Sequence, residues 1–245
     1  IKSSKMILMI VLFIIAIIQI FPLYWLITFS LKDNGEIFTT NPLGLPKIWR
    51  FENYKFALTQ GGLLRCFFNS LLYTGVSIVI SGLVSAMAAY AIVRLKWKLS
   101  KLTMIVFTVG IMIPLNAALL PLFLVMDKLK LIDTYWALII PYTAFSIPLS
   151  VLILSGFYAA IPRDLEEAAF IDGCGIYRIF FKIILPIIKP AIATVSIFNF
   201  LGNWNELMFA NTLVNSAKYK TLTVGIMAFS GQYTTQWGQI GAGMV

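Results

Sequence analysis

No histidine occurs in the chain, and only two cysteines do, Cys66 and Cys174. Imidazole acid–base chemistry and His-ligated metal centres are therefore excluded within it. The chain also lacks a Gly-x-x-x-x-Gly-Lys-Ser/Thr phosphate loop and has not one Gly-Lys pair, so it carries no nucleotide-hydrolysing loop of that kind. Charge is scarce as well: 12% of the 245 residues are charged and 60% are hydrophobic, against about 25% charged in soluble domains. The formal charge of +9 comes without a long basic run, which argues against a nucleic-acid surface.

What is present is a series of long uncharged stretches. They run 26 residues from Met6 to Leu31, 28 from Cys66 to Val93, 25 from Leu102 to Met126 and 29 from Thr134 to Pro162. Each exceeds the roughly 20 residues that a helix needs to cross a bilayer. A fifth stretch, 187–210, is interrupted only by Lys189 and Glu206. The expected fold class is an all-α polytopic transmembrane bundle with five visible spans, about 6–31, 68–93, 102–126, 135–160 and 187–210. The chain opens on Ile1 rather than Met and stops at Gly-Ala-Gly-Met-Val245. A few residues are expected before it, and a sixth span is expected to start near Ile240 and continue beyond Val245.

Four basic residues crowd the eight positions Arg94–Lys101 with no acid among them, a retention signal for the cytoplasmic side. The N-terminus is then cytoplasmic, 32–65 is an external loop, and 163–186 is a cytoplasmic loop. Cys66 and Cys174 fall on opposite sides, so no disulfide is expected between them. Ser77, Ser81, Ser85 and Ala89 recur every fourth residue and form a smooth helix face suited to close packing. Pro114, Pro121, Pro141 and Pro148 predict kinks in spans three and four. In the external loop, 41–46 reads as turns and 51–58 as a short amphipathic helix.

The loop 163–186 has its own design. Pro162 and the acids that follow suit a helix start, and Leu165, Ala168 and Ala169 share a face at i, i+3 and i+4. Gly173 and Gly175 predict a stop and a sharp turn. A second helix, about Ile176–Leu185, sets Arg178 and Lys182 on one face and Ile179 and Ile183 on another. Two short helices joined by a glycine turn make a compact docking knob.

Glu167-Ala168-Ala169, three residues, Gly173, nine residues, Ile183, one residue, Leu185-Pro186 resembles the complete EAA loop of ABC importer permeases. That resemblance implies a type I ABC importer permease fold and a single transmembrane domain over 1–245. The loop would be the element coupling it to a separate ATPase, through Glu167, Ala168, Ala169, Asp172, Gly173, Ile183, Leu185 and Pro186. Phe68-Asn-Ser-Leu71, Ala88-Ala-Tyr-Ala91 with Arg94, Asn203-Trp-Asn-Glu206, Thr221-Leu-Thr-Val-Gly225 and the run Gly231–Gly238 are similar to carbohydrate importers of the maltose type, MalG-like subunit.

The resemblance further implies a MalF-like second permease, two ATPase subunits that bind the ATP and magnesium, and an extracytoplasmic solute-binding protein. It implies a bacterial inner-membrane location and no catalytic residue, metal or cofactor in this chain. Asn203, Asn205 and Glu206 are candidates for the substrate path, and Tyr233 and Trp237 for a loop reaching the binding protein. The alternatives are an importer of another solute (amino acid, peptide, anion) and an ion-coupled secondary transporter. The second expects paired intramembrane acids, whereas spans one to four hold no charge. A membrane enzyme would gather His, Cys or carboxylates at one depth, and the sequence shows no such cluster.

Overall fold

The computed structural model describes residues 2–95, 97–230 and 235–245. In chain order its α-helices are α1 (Lys2–Ser30), α2 (Glu52–Leu58), α3 (Leu63–Arg94), α4 (Ser100–Ile111), α5 (Leu119–Lys128), α6 (Trp136–Ala160) and α7 (Asp164–Ile171). After these come α8 (Ile176–Ile179), α9 (Leu185–Ile187), α10 (Lys189–Trp204), α11 (Met208–Leu213), α12 (Leu222–Met227) and α13 (Trp237–Met244). Among the described residues there is no strand, so the fold class is all-α.

Lys5–Ser30, Leu63–Arg94 and Trp136–Ala160 are each long and apolar enough to cross a membrane. Two bent pairs bring that number to five if each is one span: Ser100–Ile111 with Leu115–Lys128, bent by 93°, and Ile176–Ile187 with Lys189–Trp204, bent by 73°. The first bend sits at Pro114, where the predicted kink is a full break with a short 3-10 turn, Leu115–Ala118. Pro141 and Pro148, by contrast, lie inside an unbroken α6.

The chain divides into two compact units, Ile1–Phe67 with Leu222–Val245, and Phe68–Thr221. In the first, α13 packs on both α1 and α2. Gly241 makes this close approach possible, because a Cβ there would press on the Phe29 ring and the Ser30 backbone. The short helix expected at 51–58 is α2, and the turns at 41–46 are pinned by Asn41, whose Oδ1 accepts from Gly44 N at 3.0 Å.

The segment after α1 is organised around Lys32, which is 0% exposed. Its Nζ donates to the carbonyls of Asn41 at 2.7 Å and Pro42 at 3.4 Å. Burial pushes the Lys32 ammonium below its usual range, against the opposing pull of Glu36. Removing such a donor strands two carbonyls, at about 1.5–3 kcal/mol per charged hydrogen bond. Lys32→Met should therefore raise the rate of trypsin cleavage after Lys47 and Arg50 by about tenfold or more, read from the fragment pattern of the purified protein.

In the second unit, Ser77, Ser81 and Ser85 of α3 are fully buried. The Ser77 and Ser85 hydroxyls donate to the α6 carbonyls of Ile139 at 3.3 Å and Ile147 at 3.4 Å. The smooth face thus packs helix on helix. Ala86, Ala89 and Tyr90 continue it into a core shared with Val151, Leu154 and Tyr158. No disulfide joins Cys66 to Cys174.

Candidate functional site

The knob at 163–186 is built in the second unit from α7, α8 and the turns that follow. Asp164, Glu166 and Glu167 fill the first turn of α7, where the helix dipole favours negative charge. The helix ends in a Schellman motif: Cys174 N donates to Ala169 O and Gly173 N to Phe170 O, both at 3.0 Å. Gly173 takes φ +78° with no atom within 4 Å of a Cβ placed there, so its requirement is conformational rather than steric. Gly175 differs from expectation. Its φ of −73° and ψ of 161° are extended, and any residue could hold them; the turn depends on Gly173 alone.

The second helix also departs from expectation. Ile176–Ile179 is α-helical, Phe180–Ile184 forms a π-helical turn, and Leu185–Ile187 resumes the α form. The wider turn shifts the buried face by one residue. Ile179, Phe180, Ile184 and Ile188 enter the core, and Ile183 is left half-buried. The Phe180 ring lies 5.3 Å from that of Tyr90, and Tyr90 lies 5.8 Å from Tyr158. Of the predicted face on α7, only Ala169 is buried, while Leu165 and Ala168 face outward.

Neighbouring acids on α7 take different directions. Glu166 turns inward to the end of α3, its Oε1 3.4 Å from Arg94 Nε, with side chains 17% and 3% exposed. Arg94 also donates through Nη2 to Ile161 O at 2.6 Å. Glu167 and Asp172 remain exposed, as does Pro186, and Leu185 is half-buried. Beside Glu167, Phe170 is 74% exposed and Ile171 85%, around a cavity of about 390 Å³ that Tyr90, Glu166 and Glu167 also line; Tyr177, 74% exposed on α8, lines a separate cavity with Tyr90 and Phe180. Apolar side chains this exposed, flanked by unspent acids, are of the kind that protein-binding surfaces present. Sequence reading missed Phe170, Ile171 and Tyr177, because it followed the Leu165–Ala168–Ala169 stripe.

A second group lies on α6 and α10. Glu206 caps α11: its Oε1 accepts from Phe209 N at 2.8 Å and its Oε2 from Ala210 N at 3.1 Å and from the Tyr142 hydroxyl at 2.9 Å. Asn203 Nδ2 donates to Ser146 Oγ at 3.5 Å. Asn199, one helical turn earlier, joins three helices through Ser150 Oγ at 3.1 Å and Ser81 Oγ at 3.4 Å. Asn199, Asn203 and Glu206 line one cavity of about 220 Å³ with Tyr142, Phe145 and Phe209. Asn205 does not join them, since its Nδ2 donates to Leu201 O in its own helix at 2.8 Å. Asn199 was legible at four residues before Asn203, on the same helical face.

In the first unit, Trp237 opens α13 with its ring 40% exposed and edge-on to Phe38 at 5.7 Å. Tyr233 and Lys96 lie outside the described residues.

Residues 79–245 match the family model described as the binding-protein-dependent transport system inner membrane component. The chain belongs to this family. It is 35% identical over 232 residues to the diacetylchitobiose uptake system permease protein NgcG of Streptomyces coelicolor, covering 94% of this chain and 76% of that one. It is also 35% identical over 227 residues to the sulfoquinovosyl glycerol transport system permease protein SmoH of Agrobacterium fabrum, covering 92% and 79%. Among solved structures, a bacterial ABC transporter involved in the import of the acidic polysaccharide alginate aligns with a TM-score of 0.84 at 20% identity. That match covers 99% of this chain and 90% of the other, and it establishes a shared fold. The permease is thus a transport subunit rather than a catalytic one.

Proposed function

We infer that this permease carries a sugar or oligosaccharide inward as one of two membrane subunits of an ATP-driven importer, with its knob seated on a separate ATPase. The observation that carries the reading is the pairing of a rigid, Schellman-terminated α7 with the exposed Phe170 and Ile171 beside Glu167 and the exposed Tyr177 on α8. A tether needs neither the stiff turn nor the apolar face. The sugar class is supported by relatives named for diacetylchitobiose and sulfoquinovosyl glycerol, both molecules built on a sugar ring.

With the N-terminus in the cytoplasm, the basic turn after α3 and the knob face the same compartment as the motor. Each of two ATPase subunits holds ATP and magnesium, and this chain supplies no group to the hydrolysis. When the ATPases close on nucleotide, the seated α7 and α8 move with them. Through Arg94–Glu166 and the Tyr90–Phe180 contact the displacement reaches α3, and through Tyr90–Tyr158 it reaches α6. A two-state helix bundle is thereby biased between outward and inward openings. An extracytoplasmic binding protein delivers the sugar, and a second permease completes the path. Asn199 and Asn203 line the cavity on α10 from which hydroxyl groups could be passed along.

Proteoliposomes bearing the co-purified complex test this directly. Sugar uptake should require ATP inside and loaded binding protein outside, and hydrolysis should rise at least about tenfold when both are present, a shift of roughly 1.4 kcal/mol. Uptake driven by an ion gradient without nucleotide would remove the reading. Uptake of an amino acid or peptide but no sugar would remove its carbohydrate part.

A further inference from the structure

The first unit holds a cavity of about 320 Å³ between the chain just past α1, the start of α2 and the start of α13. Its lining is polar apart from Gly238, where a Cβ would collide with the Lys32 carbonyl and the Asn53 amide. The glycine lets three strands of chain converge without filling the space.

Several of the polar groups are already spent on structure. Lys32 serves two carbonyls. Asp33 accepts from Glu36 N at 2.8 Å and from Arg50 Nη2 at 2.9 Å, and these hold its carboxyl below the usual range. Asn34 staples the chain, donating to Thr235 O at 2.7 Å and accepting from Trp237 N at 3.0 Å. Asn53 Nδ2 donates to the carbonyls of Ser30 and Lys32 at 2.9 and 3.1 Å.

Other groups are not spent. Among the described residues, the Gln236 and Gln239 amides, the Glu52 carboxylate and Asn53 Oδ1 make no side-chain hydrogen bond. Arg50 Nε is buried without a partner, a cost a folded protein rarely carries unless something completes it. The unspent set holds donors and acceptors together. Formal charges cancel, Lys32 and Arg50 against Asp33 and Glu52, and the one uncommitted charge is the Glu52 carboxylate. An anion would meet that carboxylate. Hydroxyl groups, which donate and accept at once, suit a mixture of amides, a carboxylate and a guanidinium N–H.

We propose that this cavity is a subsite for one ring of a neutral saccharide, held by Gln236, Gln239, Asn53, Glu52 and Arg50. The proposal rests on the carbohydrate reading above and adds a site on this chain.

The complex, reconstituted in nanodiscs without its binding protein, is probed by saturation-transfer NMR with maltose, cellobiose, lactose and melibiose in turn. At least one should receive saturation on its ring protons. Gln236→Ala/Gln239→Ala should weaken that signal by about tenfold, the loss of one or two hydrogen bonds, with melting and partner co-purification unchanged. Glucuronate should bind more weakly than the neutral sugars, and Glu52→Gln should raise its signal. An unchanged signal in the double variant, or no signal from any of the four, overturns the subsite. So does a double variant that loosens binding-protein docking while sparing the sugar. ATP-dependent sugar uptake alongside such a failure sinks the subsite alone, whereas absent uptake sinks the reading beneath it.

Discussion

Gly173→Val is expected to reduce ATP-driven uptake by at least about tenfold while the membrane helices stay assembled. At φ +78° a β-branched residue carries a left-handed penalty of at least about 2 kcal/mol. Relief comes only by unwinding the turn, which gives up the bonds from Gly173 N and Cys174 N that close α7. Each 1.4 kcal/mol lowers the population of the seated knob about tenfold. Because no atom crowds the position, Gly173→Asn should keep most of the uptake, since Asn visits this region readily. The measurements are uptake in proteoliposomes and ATPase recovered with the tagged permease. Equal loss in the Asn and Val variants would point to a packing role the structure does not show, and full uptake in the Val variant would remove the knob from the coupling path.

Gly173 also shows what a sequence can disclose. Its role follows from residue types at fixed offsets, because a helix stop needs a residue that tolerates positive φ. The long apolar helices were legible for a similar reason, since the bilayer sets their length and composition. The shifted face after Phe180 was not. Reading Ile179 with Ile183 assumes an α-helical period throughout, and a π turn breaks it without any marker in the residues. Pro141 and Pro148 lie inside an α6 that runs unbroken through both, as membrane helices can when packed among neighbours. Pairings between remote segments were equally hidden. Nothing local in Glu206 says that it caps α11 and receives Tyr142, and nothing in Arg94 names Glu166.

That last pairing carries the second large effect. Arg94 and Glu166 join the end of α3 to the knob, and the guanidinium is almost wholly buried. Removing one member of a buried ion pair costs roughly 3–5 kcal/mol because the other charge is stranded, while replacing both by apolar groups can approach neutrality. Glu166 keeps some solvent contact, so the lower end applies: Arg94→Met should cost about 3 kcal/mol, seen as earlier melting of the purified complex. That variant also loses the bond to Ile161 O, so a single substitution cannot isolate the pair. A cycle of Arg94→Met, Glu166→Leu and both together can, because the carbonyl bond is lost equally on each side of it. We expect an interaction energy of at least about 1.5 kcal/mol, with sugar moved per ATP falling in both single variants and partly recovering in the double. Additive losses with no recovery would mean that Arg94 serves α3 and the Ile161 carbonyl alone, leaving the Tyr90–Phe180 contact as the route by which the knob reaches the bundle.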